Sequence, residues 1–433
     1  MADYIFVLDN HLDANQGKVV AEMARIATEA AQSVWLTGGA MREMLRGAPI
    51  GDLDFTVEHD AIKTGKVLAH AMKGEVLTED SQKRWVELKL PGGVRASVGN
   101  ARTEKYSKPG GKPQIAPATI HEDLSRRDFT INAIALSLNR GSRGLLVDPT
   151  NGQADLTNKE LRTTNSYAFF DDPTRLFRLF RFQHTLGLEP VSRTLSQLEN
   201  ALMEHFEASA LPAALTPELR AMALHPAAGT ALAGLDQNGL LKLVAPGWTG
   251  EKINAAGLAR FEKAVQAVLP APKDGWLAFL TVILEKLGPK DRSEALRNLA
   301  LPAADVSGLK KLEAAAAKLE KEIRSPKIHK PSQVWEVLEP AGENEILMVL
   351  YESEQRVVQD RIRAYYGKYL PVAQEVSEEQ VLATGVKPGT PKYARALRDM
   401  TIKHLNARPK KPVEPEPTPP PPPPPPMGRG RRV

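Results

Sequence analysis

The feature that most restricts this chain is a change of pattern at about Asp171. Before it, short strand-like runs alternate with helical stretches. After it, apolar residues recur at helical spacing, with Gly and Pro as punctuation. Such a change calls for a mixed α+β head followed by an all-α remainder. Residues 34–37, 53–57, 85–90 and 94–98 read as strands, the last two joined by Pro91-Gly92-Gly93. A helix is expected over 40–45 and a loop rich in Pro, Gly and Lys over 106–119. Farther on, Leu258, Phe261, Val265 and Val268 form one helical stripe; Leu309, Leu312, Ala316, Leu319 and Ile323 form another. Lys310, Lys311, Lys318 and Lys321 fall on the remaining faces of the second stripe and read as solvated.

A length of 433 residues suggests about two to four domains, and 42% hydrophobic residues suffice for real cores. The 57 Lys+Arg outnumber the 52 Asp+Glu, which suits a polyanionic partner without requiring one. With no cysteine, thiolate metal sites, disulfides and thiol nucleophiles are excluded. The start carries Asp3, Asp9 and Asp13 and does not read as a signal peptide. No apolar run approaches the ~20 residues of a membrane span. A soluble cytoplasmic protein with no membrane partner is expected. The end, with prolines from Pro419 to Pro426 and then Gly428-Arg429-Gly430-Arg431-Arg432, reads as an extended tail.

Four motifs carry the chemistry. Gly38-Gly39 separates a strand from a helix, with Arg42 one turn in, so backbone N–H groups and a guanidinium can meet an anion. Asp52 and Asp54 stand two apart at a strand start and share a face, while Leu53 and Phe55 turn to the core. Two such carboxylates repel unless a cation lies between them, and Mg2+ commonly takes one or two carboxylates plus phosphates. The bland alternative is an Asp-rich turn. Arg126-Arg127-Asp128 and Asn132 open a helix-like segment with donors for phosphate; on its own it would be a capped surface helix. Asp172, Arg175, Arg178 and Arg181 follow at helical spacing, a polar ridge beside an apolar one of Leu176, Leu179 and Phe180. Asp172 before Pro173 also suits an N-cap, and a carboxylate with a guanidinium can read a base edge.

With all four in order, the sequence resembles the class II tRNA nucleotidyltransferases and bacterial poly(A) polymerases of the DNA polymerase β-like superfamily. The matching stretches are LTGGAMREMLRGAPIGDLDFTVE, ARTEKYSKPGGKPQIAP, HEDLSRRDFTINAIALSL, LVDPTNGQADLTNKELRT and FDDPTRLFRLFRF, with VLATGVKPGTPKYARAL near the end. The resemblance implies a nucleotidyltransferase head with a five-stranded mixed sheet over 1–140. It also implies helical neck (141–210), body (211–300) and tail (301–408) domains that hold tRNA, before the segment 409–433. Carried over by position, Gly38, Gly39 and Arg42 would hold the triphosphate, and Asp52 and Asp54 the catalytic Mg2+. Arg127, Asp128 and Asn132 would contact the sugar and phosphates. Asp172 and Arg175 would select CTP and ATP by their base edges, with Arg178 and Arg181 in support. Asp148 and Asp155 match a hinge motif, and 106–119 a flexible loop.

One position departs from the pattern. Relatives carry an Asp or Glu where this chain has Ser97. Either Glu104 supplies the third carboxylate, or two suffice, or activity is weakened. The implied activity is addition of CMP and AMP to the tRNA 3′ end. A poly(A) polymerase is the nearest alternative, although SQKRWVELKL lacks the Gly-basic-basic-Phe segment of those enzymes. Enzymes adding only CC or only A, and a non-catalytic RNA-binding protein, complete the alternatives.

Overall fold

The computed structural model describes residues 4–268 and 272–407. They form two compact units. One holds the described residues up to Leu319 with Gly342–Ser353, the other Glu320–Ala341 with those from Glu354 onward. The proline-rich tail lies outside the described residues.

The first unit begins with helices α1 (Tyr4–Asp9) and α2 (Ala14–Glu29). A capping box of Asp13 and Gln16 fixes the start of α2. The head then runs β1 (Val34–Thr37), α3 (Gly39–Arg46), β2 (Leu53–Val57), α4 (Ala61–Met72), β3 (Glu75–Asp80), β4 (Trp85–Lys89) and β5 (Arg95–Asn100). After these come β6 (Arg102–Lys105), β7 (Gln114–Pro117), α5 (Ile120–Ser125), β8 (Ala135–Ser137) and β9 (Leu146–Val147). The main sheet has the order β3-β4-β5-β2-β1-β8-β9. Its β2–β5 pair is parallel and its other pairs antiparallel, so the sheet is mixed.

The α+β class and the mixed sheet are as expected; the strand count is seven instead of five. The added strands give little sequence signal. Almost every residue of β3 is exposed, which removes the inside–outside alternation, and the edge strand β9 has only two residues. Leu53, Phe55, Ala96, Val98, Val86 and Leu88 fill the core against α2 and α4. Helix α4 lies so close to the sheet that a methyl group on Gly65 would stand 2.3 Å from Val86 Cγ1. The opposite sheet face is left for the site.

Two local expectations are corrected. The segment from Arg126 is not a helix: α5 ends at Ser125, and only a 3-10 turn, Thr130–Asn132, follows. Phe129 is extended and bridges Thr163, and Thr130 N–H donates to Arg162 O, so long-range pairing displaces the helix. The stretch read as a loop over 106–119 contains β7, which pairs with β6 in a hairpin.

Helices α6 (Gly152–Asn158), α7 (Ala168–Asp171), α8 (Arg175–Thr185), α9 (Ser192–Met203) and α10 (Leu215–Met222) open the helical part. Asp148 accepts from Gly152 and Gln153 N–H at 2.7 and 2.9 Å, and Asp155 accepts from Thr130 Oγ1 at 2.6 Å. Both stripes predicted downstream bury apolar residues, among them Leu258, Phe261, Leu312, Ala316 and Leu319. The four lysines of the second stripe are exposed. In the second unit, Arg361 donates to the carbonyls of Ser325 and Ile328 at 3.0 and 2.7 Å, tying Arg356–Ala364 to the preceding turn. No helix among the described residues is long and apolar enough to cross a membrane.

Candidate active site

Strand pairing builds the floor of the site. Thr37 on β1 faces Asp54 on β2, and Asp54 faces Ser97 on β5, so the three share a row on the open sheet face. The Gly38-Gly39 turn leaves β1 directly above Asp54. Gly38 has φ +68°, and a methyl group there would lie 3.1 Å from Asp54 Oδ2. Glycine is therefore required twice, for the backbone conformation and for the carboxylate's approach. Helix α3 starts at this turn and carries Arg42, which donates to Asn132 Oδ1.

Asp54 is half-buried, and burial pushes its carboxyl above the usual range. A hydrogen bond from Ser97 Oγ at 2.7 Å and the charges of Arg127 and Arg42 act in the other direction. Asp52, just before β2, is more exposed. Partial burial raises its carboxyl too, and the negative charge of Asp54 adds to the effect. A cation beside Asp52 would relieve the repulsion it feels from Asp54. No group of three or more His, Asp or Glu forms a metal cage among the described residues. Asp52 and Asp54 would be the two carboxylates to hold Mg2+, with phosphate and water in its remaining positions. Glu104 does not join that pair. Its oxygens accept from Arg102 Nε and the Tyr106 hydroxyl, both at 2.7 Å, and Arg126 lies at 3.3 Å.

Around this floor the cavity, about 670 Å³, is walled by guanidinium groups. Every residue proposed from the sequence except Asp52 lines it. Arg127 donates to Asp123 Oδ2 at 2.9 Å and to Thr37 and Thr56 at 3.2 and 3.0 Å, which holds it over the β1–β2 row. Asp128 accepts from Asn132 Nδ2 at 3.0 Å and from Arg178 at 2.6 Å. Burial opposes ionisation of Asp128, but the charges of Arg178 and Arg175 outweigh it and hold the carboxyl well below its usual range.

Arg175 is the first regular residue of α8 and Thr174 its N-cap, so Asp172 is not the cap expected; its Oδ1 accepts from Thr174 N–H at 3.0 Å in the turn before the helix. Arg175 is buried, and its two terminal nitrogens donate to the carbonyls of Ala168 and Arg126 at 3.2 and 3.0 Å. The guanidinium is thereby fixed, with Asp172 Oδ2 at 4.0 Å. Arg178 Nε donates to Glu218 on α10 at 3.1 Å, and Arg181 donates to the same carboxylate.

Sequence reasoning missed Asp123, Glu218 and the aromatic rings of the cavity. Asp123 precedes Arg126 and Arg127 by three and four residues, and helical spacing could have found it. Glu218 has no local signal, because its partners lie a whole helix away in sequence.

A family model described as the poly(A) polymerase head domain matches residues 34–162. Over those residues the chain is similar to that family. This agrees with the class II tRNA nucleotidyltransferase resemblance carried by the motifs. The chain is 39% identical over 184 residues to an A-adding tRNA nucleotidyltransferase of Halalkalibacterium halodurans, covering 42% of each chain. It is 36% identical over 167 residues to a CC-adding tRNA nucleotidyltransferase of Deinococcus radiodurans, covering 39% of this chain and 44% of that one. The chain spans less than half the length of these curated relatives. The fold matches a solved tRNA-processing enzyme in its apo form, with a TM-score of 0.58 and 23% identity. That match covers 92% of this chain and 99% of the other.

Proposed function

We propose that the chain transfers CMP and AMP from CTP and ATP to the 3′ end of tRNA without a template, completing or repairing CCA. The observation that carries this reading is the position of Asp54, directly beneath the Gly38-Gly39 turn and inside a ring of arginines. In this reading Arg42 and Arg127 bind the triphosphate, and Asp128 and Asn132 orient the sugar. Asp172 and Arg175 offer an acceptor and a donor to the base edge, so the protein itself chooses the nucleotide. The RNA 3′ oxygen bonds to the α-phosphorus as the bond to pyrophosphate breaks, and the arginines stabilise the leaving charge. Mg2+ held by Asp52 and Asp54 would neutralise phosphate charge and acidify the attacking hydroxyl.

The same reading assigns 141–210, 211–300 and 301–408 to neck, body and tail, with tRNA along them, in a cytoplasmic protein. Addition of A alone is the second reading, supported by the likeness to an A-adding relative. Labelled CTP or ATP supplied to tRNA transcripts lacking CCA, CA or A separates the two. Long tails from ATP on arbitrary RNA would instead identify a poly(A) polymerase. Incorporation that survives EDTA, or that is unchanged in Asp54→Ala, would sink the proposal. A tRNA-binding protein with no incorporation at all would be the non-catalytic alternative.

A further inference from the structure

The cavity has a second wall, made by Lys83, Trp85 and Arg102, that the arginine ridge does not account for. Strand register places it. One pleat beyond the Asp54–Ser97 row, Thr56, Gly99 and Trp85 form the next row on the same sheet face. Strands lie about 4.8 Å apart, so Trp85 stands roughly two strand spacings from β2. Arg127, bonded to Thr37 on β1 and Thr56 on β2, lies toward the opposite side. Asp54, in the neighbouring row on β2, lines the same cavity as the triphosphate-binding arginines and this wall. Gly99 has no side chain, and Trp85 Cδ1 lies 3.5 Å from where its methyl group would be, so the indole rests beside bare backbone.

Three aromatic rings line the cavity, and two are engaged. Phe182 has the guanidinium carbons of Arg42 and Arg181 at 5.0 and 4.2 Å from its centroid and Phe129 at its edge. The Tyr106 hydroxyl donates to Glu104 at 2.7 Å. The Trp85 indole has no hydrogen bond, ring contact or cation among the described residues. Lys83 is exposed beside it, on a turn held by Asp80 Oδ1, which accepts from Lys83 N–H at 2.8 Å, and by Arg102, which donates to Lys83 O at 2.9 Å.

We propose that this wall seats the last nucleotide of the acceptor RNA, its unpaired base stacked on Trp85 and its phosphate facing Lys83. The inference rests on the proposed activity. Transfer requires two nucleotides to meet at the carboxylates, and the arginine side already suits the triphosphate. A base with no partner strand is held chiefly by stacking on an aromatic face, which tolerates any base. That tolerance suits an acceptor end whose last residue changes after each addition.

The test measures two things on the full chain. The first is binding of a labelled single-stranded RNA ending in CC, without nucleotide, by fluorescence anisotropy. The second is KM for RNA and for nucleotide separately. Trp85→Ala should weaken oligonucleotide binding and raise KM for RNA about tenfold, within the range of one lost base stack, with nucleotide KM unchanged. Trp85→Phe should restore most of the loss, and Lys83→Ala should reduce the salt dependence by about one phosphate contact. A Trp85→Ala protein that binds the oligonucleotide like the wild type, or that loses nucleotide affinity instead, overturns the inference. If the wild type binds the oligonucleotide through Trp85 but incorporates nothing, the activity fails while the RNA seat stands.

Discussion

Ser97 Oγ donates to Asp54 Oδ1 across 2.7 Å, and the two residues are register partners on the parallel strands β5 and β2. The position where the resemblance implies an acid is here a hydrogen-bond donor to Asp54. It orients the Asp54 carboxylate and favours its ionised form against burial.

That relationship predicts a pH effect. Asp54 must be ionised to serve, so its titration sets an acid limb of the rate profile, which a bound cation would draw to lower pH. Ser97→Ala removes a stabilising donor, so the limb should move to higher pH and the rate below it should fall. A pH–rate profile at fixed Mg2+ checks this, and an unmoved limb would refute the role of Ser97.

Asp54 also affects stability. A carboxyl raised on folding contributes stability that is complete below the ordinary aspartate pKa and lost as pH rises through the folded value. Without divalent cation at neutral pH, Asp54→Asn should therefore be more stable than the wild type, by about 0.5–2 kcal/mol, while losing activity. Urea unfolding across pH measures the difference, which should disappear under acid conditions.

Asp128 has the opposite sign. Its carboxyl is depressed, so its contribution is present above the ordinary aspartate pKa and lost as pH falls through the folded value. Asp128→Asn should lower stability at neutral pH and flatten the acid part of the stability curve. Equal acid slopes in the two proteins would contradict the Arg178 pairing as its source.

Glu218 holds Arg178 and Arg181 from a separate helix. Glu218→Ala leaves two guanidinium groups without this partner, at an expected cost of about 1–3 kcal/mol, less the part that solvent recovers at half-exposed Arg178. Nucleotide KM should rise while oligonucleotide binding stays put. A Glu218→Ala protein with unchanged KM for CTP and ATP would assign the pair to stability alone.

Asp172→Ala should cost about 1 kcal/mol through the lost hydrogen bond to Thr174 N–H. It should also narrow the preference for CTP and ATP over UTP and GTP by about tenfold or more, since the base edge loses its acceptor. Competition between labelled nucleotides on one tRNA transcript reads the ratio directly.

The sequence was informative wherever chemistry is local. The turn at Gly38-Gly39, the i, i+2 spacing of Asp52 and Asp54 and the ridge from Asp172 to Arg181 are short-range patterns. Steric and helical geometry brings the glycine turn and the ridge to one cavity with Asp54, whereas Asp52, one residue before β2, does not line it. The sequence was misleading at Arg126–Asn132, where helix-like composition yielded to the bridge between Phe129 and Thr163, and at Gln114–Pro117, where the end of the expected loop is a strand paired with β6. By itself, then, the sequence determined which groups were available and which neighbours shared a face. Only the tertiary structure decided that Ser97 meets Asp54, that Glu218 gathers the arginines, and that Trp85 lines one cavity with Asp54. Those relationships depend on strand order and helix packing, which arise from burying a core common to many distant segments and leave no periodicity in any one of them.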